Sequence, residues 1–163
     1  MARIKKSLFD IIRLRVPDSR FLDLYCGTGP VGIEALSRGA RSATFIERDP
    51  QCVRLLRENL ETLKFSERAS IHMLDATDTH SMITGPFDLI FMGPPYKDDE
   101  KKPLALVGPT LANIHRHHLF APGGLIIAQH HKKELIELPG ETWAVKRQET
   151  YGDSVLTFIG ESV

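Results

Sequence analysis

Long apolar runs are missing from this chain, and so are most cysteines. No stretch approaches the roughly 20 residues that span a bilayer. Only two cysteines occur, Cys26 and Cys52. That is too few for a disulfide framework, and a reducing cytoplasm is the compartment it fits. Net charge is absent as well: 21 basic residues balance 21 acidic ones. A general electrostatic pull on nucleic acid is therefore excluded. The N-terminus carries Arg3, Lys5 and Lys6, but no apolar segment with a small-residue cleavage site follows. What remains is an ordinary globular composition, 42% hydrophobic and 26% charged over 163 residues, enough for one domain with a sizeable core.

The charge is uneven along the chain. Residues 1–16 hold Arg3, Lys5, Lys6, Arg13 and Arg15 against the single acid Asp10. Such an end could meet phosphates or form a solvated helix face.

Apolar β-rich runs alternate with helical patterns. Phe21 to Tyr25, Ala43 to Glu47, Ser70 to Leu74, Phe87 to Met92 and Leu125 to Gln129 read as buried strands. Pro30 suits a first helical position, with Gly39 as the stop. Val53, Leu56, Leu60 and Leu63 mark one face of a helix capped by Asp49 and opened by Pro50. Residues 103–119 look helical, with a break at Gly108-Pro109 or a start near Pro109. Thr142 to Thr150 and Ser154 to Ile159 flank Tyr151-Gly152-Asp153 as a hairpin. The expected fold is α/β: a mostly parallel, Rossmann-like sheet with helices on both faces, ending in an antiparallel hairpin. No repeat or linker divides it, so residues 1–163 are expected to form one domain.

Gly27, Gly29 and Gly32 satisfy G-x-G-x-x-G between the first strand and the first helix. By itself this pattern also suits a dinucleotide, whose pyrophosphate would sit at the helix N-terminus. Asp23 argues otherwise. A carboxylate beside the loop repels a pyrophosphate and can hold an ammonium, as on the amino-acid part of S-adenosylmethionine. The alternative is a solvated strand-end acid. Glu47, 24 positions later, lies across the ligand crevice in such a sheet and can accept both hydroxyls of a ribose. Asp75 can accept from an adenine amine while the Ala76 amide donates to the ring. It could equally act as a helix cap, with Asp78 a competitor.

Gly93-Pro94-Pro95-Tyr96 follows the fourth strand. Proline has no amide hydrogen and cannot continue a sheet ladder. The turn is either a plain strand stop or a clamp that offers a carbonyl and an exposed aromatic ring to a flat base. Acids at three successive strand ends, followed by this turn, form a far more specific pattern than any one element. His115, His117, His118, His130 and His131 lack credible ligand spacing, so no metal is expected. Cys26 has no base beside it and reads as a small residue in a tight turn.

These residues resemble the RsmD family of class I methyltransferases, along nearly the whole chain. The resemblance runs through Lys6-Ser7-Leu8-Phe9, the glycine segment, Glu34-Ala35-Leu36-Ser37-Arg38-Gly39-Ala40, Glu47, Asn59 and Asp75. It continues in Phe87-Asp88-Leu89-Ile90, Pro94-Pro95-Tyr96, His130-His131 and Tyr151-Gly152-Asp153-Ser154. It implies methyl transfer from S-adenosylmethionine to a guanine N2 in small-subunit ribosomal RNA, free or in an assembly particle, by a cytoplasmic monomer. The implied cofactor-binding residues are Asp23, Tyr25, Gly27, Gly29, Gly32, Glu47, Arg48, Asp75 and Ala76. The implied catalytic segment is Gly93, Pro94, Pro95 and Tyr96. Two departures stand out. The family tetrad begins with Asp, whose side chain accepts a hydrogen from the target amine, and position 93 here is Gly. No other residue near the tetrad offers an obvious replacement acceptor, and the Pro94 carbonyl is the one that remains. The family also carries a basic, β-rich RNA-binding extension ahead of the first helix, which is expected to be missing here. A catalytically degenerate cofactor-binding module is the alternative raised by Gly93, and a nicotinamide-dependent oxidoreductase is a more distant one.

Overall fold

The computed structural model describes residues 2–78 and 83–163. Seven strands form one sheet in the order β3-β2-β1-β4-β5-β7-β6. The strands are β1 (Arg20–Leu24), β2 (Ser42–Ile46), β3 (Ala69–His72), β4 (Phe87–Met92), β5 (Phe120–His131), β6 (Trp143–Tyr151) and β7 (Ser154–Glu161). β1 to β5 pair in parallel, and β7 inserts antiparallel between β5 and β6. The expected parallel sheet with a terminal hairpin is what forms.

Alternation along the strands builds two cores. Phe21, Phe45, Leu89 and Ile127 face one side, and Leu22, Ile46, Ile90 and Ile126 face the other. That period of two is the pleat itself. Helices α1 (Ala2–Ile12), α2 (Pro30–Ser37) and α3 (Pro50–Thr62) cover the first side through Phe9, Leu36 and Leu56. Helix α4 (Val107–Arg116) covers the second through Leu111 and Ile114.

The helix boundaries follow local chemistry. Asp49 caps α3 by accepting the Gln51 amide at 2.9 Å. α4 begins at Val107, so Pro109 lies in the first turn, where no intrahelical donor is lost. Of the two expectations for this segment, the break at Gly108-Pro109 does not occur and the start near Pro109 does. β5 starts earlier than expected, at Phe120, because Pro122-Gly123-Gly124 is absorbed as an irregularity in its pairing with β4. β3 ends earlier, at His72. Leu74 and Asp75 consequently lie in the following loop and not on a strand.

The chain order reverses between β1 and β4. Ligands of open parallel sheets bind outside the strand C-termini at such a switch point.

Candidate active site

Two cavities open at this switch point. One, of ≈ 440 Å³, is lined by Asp23, Cys26, Pro94, Tyr96, Gln129 and Ile4 of α1, among others. The other, of ≈ 570 Å³, is lined by Glu47, Arg48, Asp75, Ala76 and Leu104, among others. Tyr25, Gly93 and Pro95 line both. They form the wall at which the two spaces meet. Every residue expected from the sequence lines this crevice except Gly27 and Gly29, which lie in the loop beside it, and Gly32, which lies in the first turn of α2.

The glycine loop is held from below. Asp23 Oδ2 accepts the Gly32 amide at 2.9 Å. Glu47 Oε1 accepts the Gly27 amide at 2.8 Å, and its Oε2 accepts the Asp49 amide at 2.9 Å. Asn59 of α3 donates to the Thr28 carbonyl at 3.3 Å. The amides of Gly27 and Gly32 are thus already engaged by carboxylates. They are not presented to a pyrophosphate, which counts against a dinucleotide.

The three glycines serve different ends. Gly29 adopts φ +91°, which favours glycine. A side chain at Gly32 would run into the Phe45 ring, so this residue lets α2 seat on β2. Only Gly27 faces open space. The loop's sequence pattern therefore reports helix–sheet packing as much as ligand approach.

Asp23 is not the solvated acid that one reading allowed. It is 1% exposed. Burial pushes its carboxyl up to about 7, with the Glu47 charge adding to the rise and the Gly32 amide opposing it. A cation placed against it would favour the ionised form.

Tyr25 follows β1 with φ 61°, a strained value for a residue with a side chain. Thr110 Oγ1 donates to the Leu106 carbonyl, so the Tyr25 hydroxyl donates to Thr110 Oγ1 at 2.6 Å. Burial raises the Tyr25 hydroxyl to about 12. The resemblance implied a cofactor-binding role for Tyr25, and in the structure it forms part of the wall shared by the two cavities. Asp75 Oδ1 accepts from the Thr77 amide and hydroxyl at 2.8 and 2.7 Å. These bonds lower its pKa. It closes a local turn instead of capping a helix.

Tyr96 is half-buried, contrary to the expected exposed ring. Its hydroxyl donates to Ser154 Oγ at 3.0 Å and accepts from Gln129 Nε2 at 3.4 Å. Its ring meets His131 edge-on at 5.9 Å. The Tyr-Gly-Asp-Ser hairpin and the tetrad, far apart in sequence, therefore share one hydrogen-bond chain. Ile4, Asn59, Gln129 and Ser154 were not singled out as site residues from the sequence. Asn59 and Ser154 lay within the motifs of the resemblance, whereas nothing local marked Gln129.

Gly93 does not hold a left-handed conformation, so its backbone alone does not demand glycine. A β-carbon there would lie 3.2 Å from the Phe91 ring. No feature of the described site favours a cofactor-binding module without chemistry. Among the described residues no three His, Cys, Asp or Glu side chains are grouped as metal ligands. His115 packs against Trp143, and His130 bonds Thr157 Oγ1 at 2.6 Å.

The residues present fit S-adenosylmethionine. Asp23 lines one of the two joined spaces of the crevice, and Glu47 and Asp75 line the other. Fold and site together define a class I methyltransferase.

Comparison with known proteins narrows this. The family model described as conserved hypothetical protein 95 matches residues 1–160. YlbH of Bacillus subtilis, named as a candidate rRNA methyltransferase, is 36% identical over 155 residues, covering 92% of this chain and 80% of that one. Ribosomal RNA small subunit methyltransferase D of Haemophilus influenzae is 29% identical over 153 residues, covering 92% of this chain and 76% of that one. A solved structure of the candidate methyltransferase yhhF from Escherichia coli is similar with a TM-score of 0.85 and 26% identity, covering 100% of this chain and 88% of that chain. The chain belongs to the RsmD family of methyltransferases.

Proposed function

We propose that this protein methylates the exocyclic N2 of a guanine in small-subunit ribosomal RNA, with S-adenosylmethionine as its cofactor. The observation that carries this reading is the pair of cavities meeting at Tyr25, Gly93 and Pro95. One space is lined by acids suited to a nucleoside. The other lies under Tyr96 and Pro94, where a base can enter. When bound, the cofactor supplies a methyl group on a sulfonium centre.

The chain's own residues do the positioning. Asp23 and Glu47 fix the glycine loop and present carboxylates to the cofactor's ammonium and ribose. Asp75 and Ala76 flank the adenine. The Tyr96 ring stacks on a base taken out of its own stack. The Pro94 carbonyl accepts from the target amine. That amine is a weak nucleophile, because its lone pair is delocalised into the ring. Acceptors that favour a tetrahedral nitrogen, together with positioning, lower the barrier. We place the protein in the cytoplasm as a monomer acting on ribosomal RNA or an assembly particle. No described helix is long and apolar enough to cross a membrane.

Incubation with labelled S-adenosylmethionine and immature small ribosomal subunits tests this, with nucleoside analysis of the product. Recovery of N2-methylguanosine is the expected result. Label in a different nucleoside would remove the guanine assignment. No label in any ribosomal RNA would remove the reading altogether.

A further inference from the structure

Gly93 and Gln129 are neighbours across the sheet. The parallel pairing of β4 with β5 runs Phe91–Ile127 and Met92–Ala128. One residue further on come Gly93, just past the end of β4, and Gln129 of β5. A β-carbon built on Gly93 would lie 4.0 Å from Gln129 Oε1. Both residues line the ≈ 440 Å³ cavity under Tyr96. Gln129 is 8% exposed, so its amide is a buried polar group with a restricted orientation.

Gln129 Nε2 donates to the Tyr96 hydroxyl at 3.4 Å, and this hydroxyl donates onward to Ser154 Oγ at 3.0 Å. The amide nitrogen lies on the Tyr96 side, and Oε1 lies 4.0 Å from where a β-carbon on Gly93 would stand. An amide oxygen accepts and cannot donate.

We infer that Gln129 is a catalytic residue whose Oε1 accepts a hydrogen bond from the target amine, in the space that a side chain at position 93 would otherwise fill. The inference rests on the methyl transfer proposed above. As the nitrogen lone pair forms the bond to the methyl carbon, sulfur keeps the electron pair of the broken carbon–sulfur bond. The surplus amine proton leaves to water. Gln129 acts as no base in this step. It holds the retained N–H and draws the nitrogen toward tetrahedral geometry, with the Pro94 carbonyl as the second acceptor. Glycine at 93 is then complementary to glutamine at 129. The acceptor reaches the site from the neighbouring strand, and aspartate at 93 would set a second acceptor against the first.

The test compares wild type with Gln129→Ala, Gln129→Met, Gly93→Asp and the double variant Gly93→Asp/Gln129→Ala. Methionine keeps the length of glutamine and removes the acceptor, so it carries the test if the alanine variant fails to fold. Methyl transfer to immature small subunits should fall about 100-fold or more in the alanine and methionine variants, the scale for losing one aligned hydrogen-bonding group in a transition state. S-adenosylhomocysteine affinity, measured by calorimetry, should stay within about twofold, because the altered group meets the amine and not the cofactor. Gly93→Asp alone should bring no gain, and in the double variant it should recover much of the lost rate.

A second readout needs no turnover. In protein loaded with S-adenosylhomocysteine, the side-chain amide resonance of Gln129 should move with guanosine and not with inosine, which lacks the amine. Wild-type rates in a folded Gln129→Met variant would overturn the inference and leave the proposed function standing. A Gln129 resonance that responds equally to both nucleosides would overturn it too. A wild type that labels no ribosomal RNA would instead remove the proposed function, and this inference with it.

Discussion

Asp23 accepts the Gly32 amide at 2.9 Å from a side chain only 1% exposed. One bond joins the end of β1 to the first turn of α2. It also places a carboxylate in a setting that disfavours its charge.

The first prediction follows from that setting. Burial pushes the Asp23 carboxyl up to about 7 in the folded protein, against 3.8 for an unperturbed carboxyl. Between those pH values the folded chain binds more protons than the unfolded chain. Stability therefore falls as pH rises from about 4 to about 7, and stays lowered above. At about 1.4 kcal/mol per pKa unit, the cost at pH 8 is on the order of 4 kcal/mol. Asp23→Asn keeps an acceptor for the Gly32 amide and removes the charge. It should be more stable than wild type at pH 8, with the gap closing towards pH 4. Urea titrations at both values check this, and a less stable variant at pH 8 would contradict it.

The same carboxylate links cofactor binding to protons. An ammonium beside Asp23 favours the ionised form, so S-adenosylhomocysteine binding at pH 6 should release a proton. Its affinity should weaken by up to about tenfold per pH unit below 7. Calorimetry in two buffers of different ionisation enthalpy measures the release. Buffer-independent heats at pH 6 would show that the ammonium does not meet Asp23.

Glu47→Ala removes the acceptor of two backbone amides, those of Gly27 and Asp49. Loss of hydrogen bonds to a charged group is worth about 1.5–3 kcal/mol each. We expect S-adenosylhomocysteine affinity to fall by about 1–3 kcal/mol, with some loss of stability. Affinity equal to wild type would free Glu47 of any part in binding.

Tyr96→Ala should cut methyl transfer while cofactor affinity stays nearly intact. Base stacking on an aromatic ring is worth roughly 1–3 kcal/mol. Parallel transfer assays and calorimetry separate the two effects. A folded variant that no longer binds S-adenosylhomocysteine would put the ring on the cofactor side of the crevice.

Gly32→Ala should destabilise the fold. The new methyl group meets the Phe45 ring within a closed core, and overpacking of this kind costs about 1–3 kcal/mol. The shift in denaturant midpoint reads this directly, and an unchanged midpoint would mean that α2 moves off the sheet freely.

Much of this protein was legible in its residues. The apolar run Phe87 to Met92 defined β4 to the residue, because a strand buried on both faces reads as such a run. Asp49-Pro50 announced α3 through capping chemistry that is local to the chain. The carboxylates Asp23, Glu47 and Asp75 and the tetrad were identifiable because each lies at or just after the C-terminal end of a strand. Strand ends of an open parallel sheet converge on one crevice by topology alone. Tertiary structure decided the rest. It determined which of these carboxylates is buried, since burial depends on how α2 seats on β2 through Gly32 and Phe45. It bound Tyr96 to Ser154 across 58 residues. It also set Gln129 beside Gly93, a pairing invisible in sequence because lateral register, not chain order, makes two parallel strands neighbours.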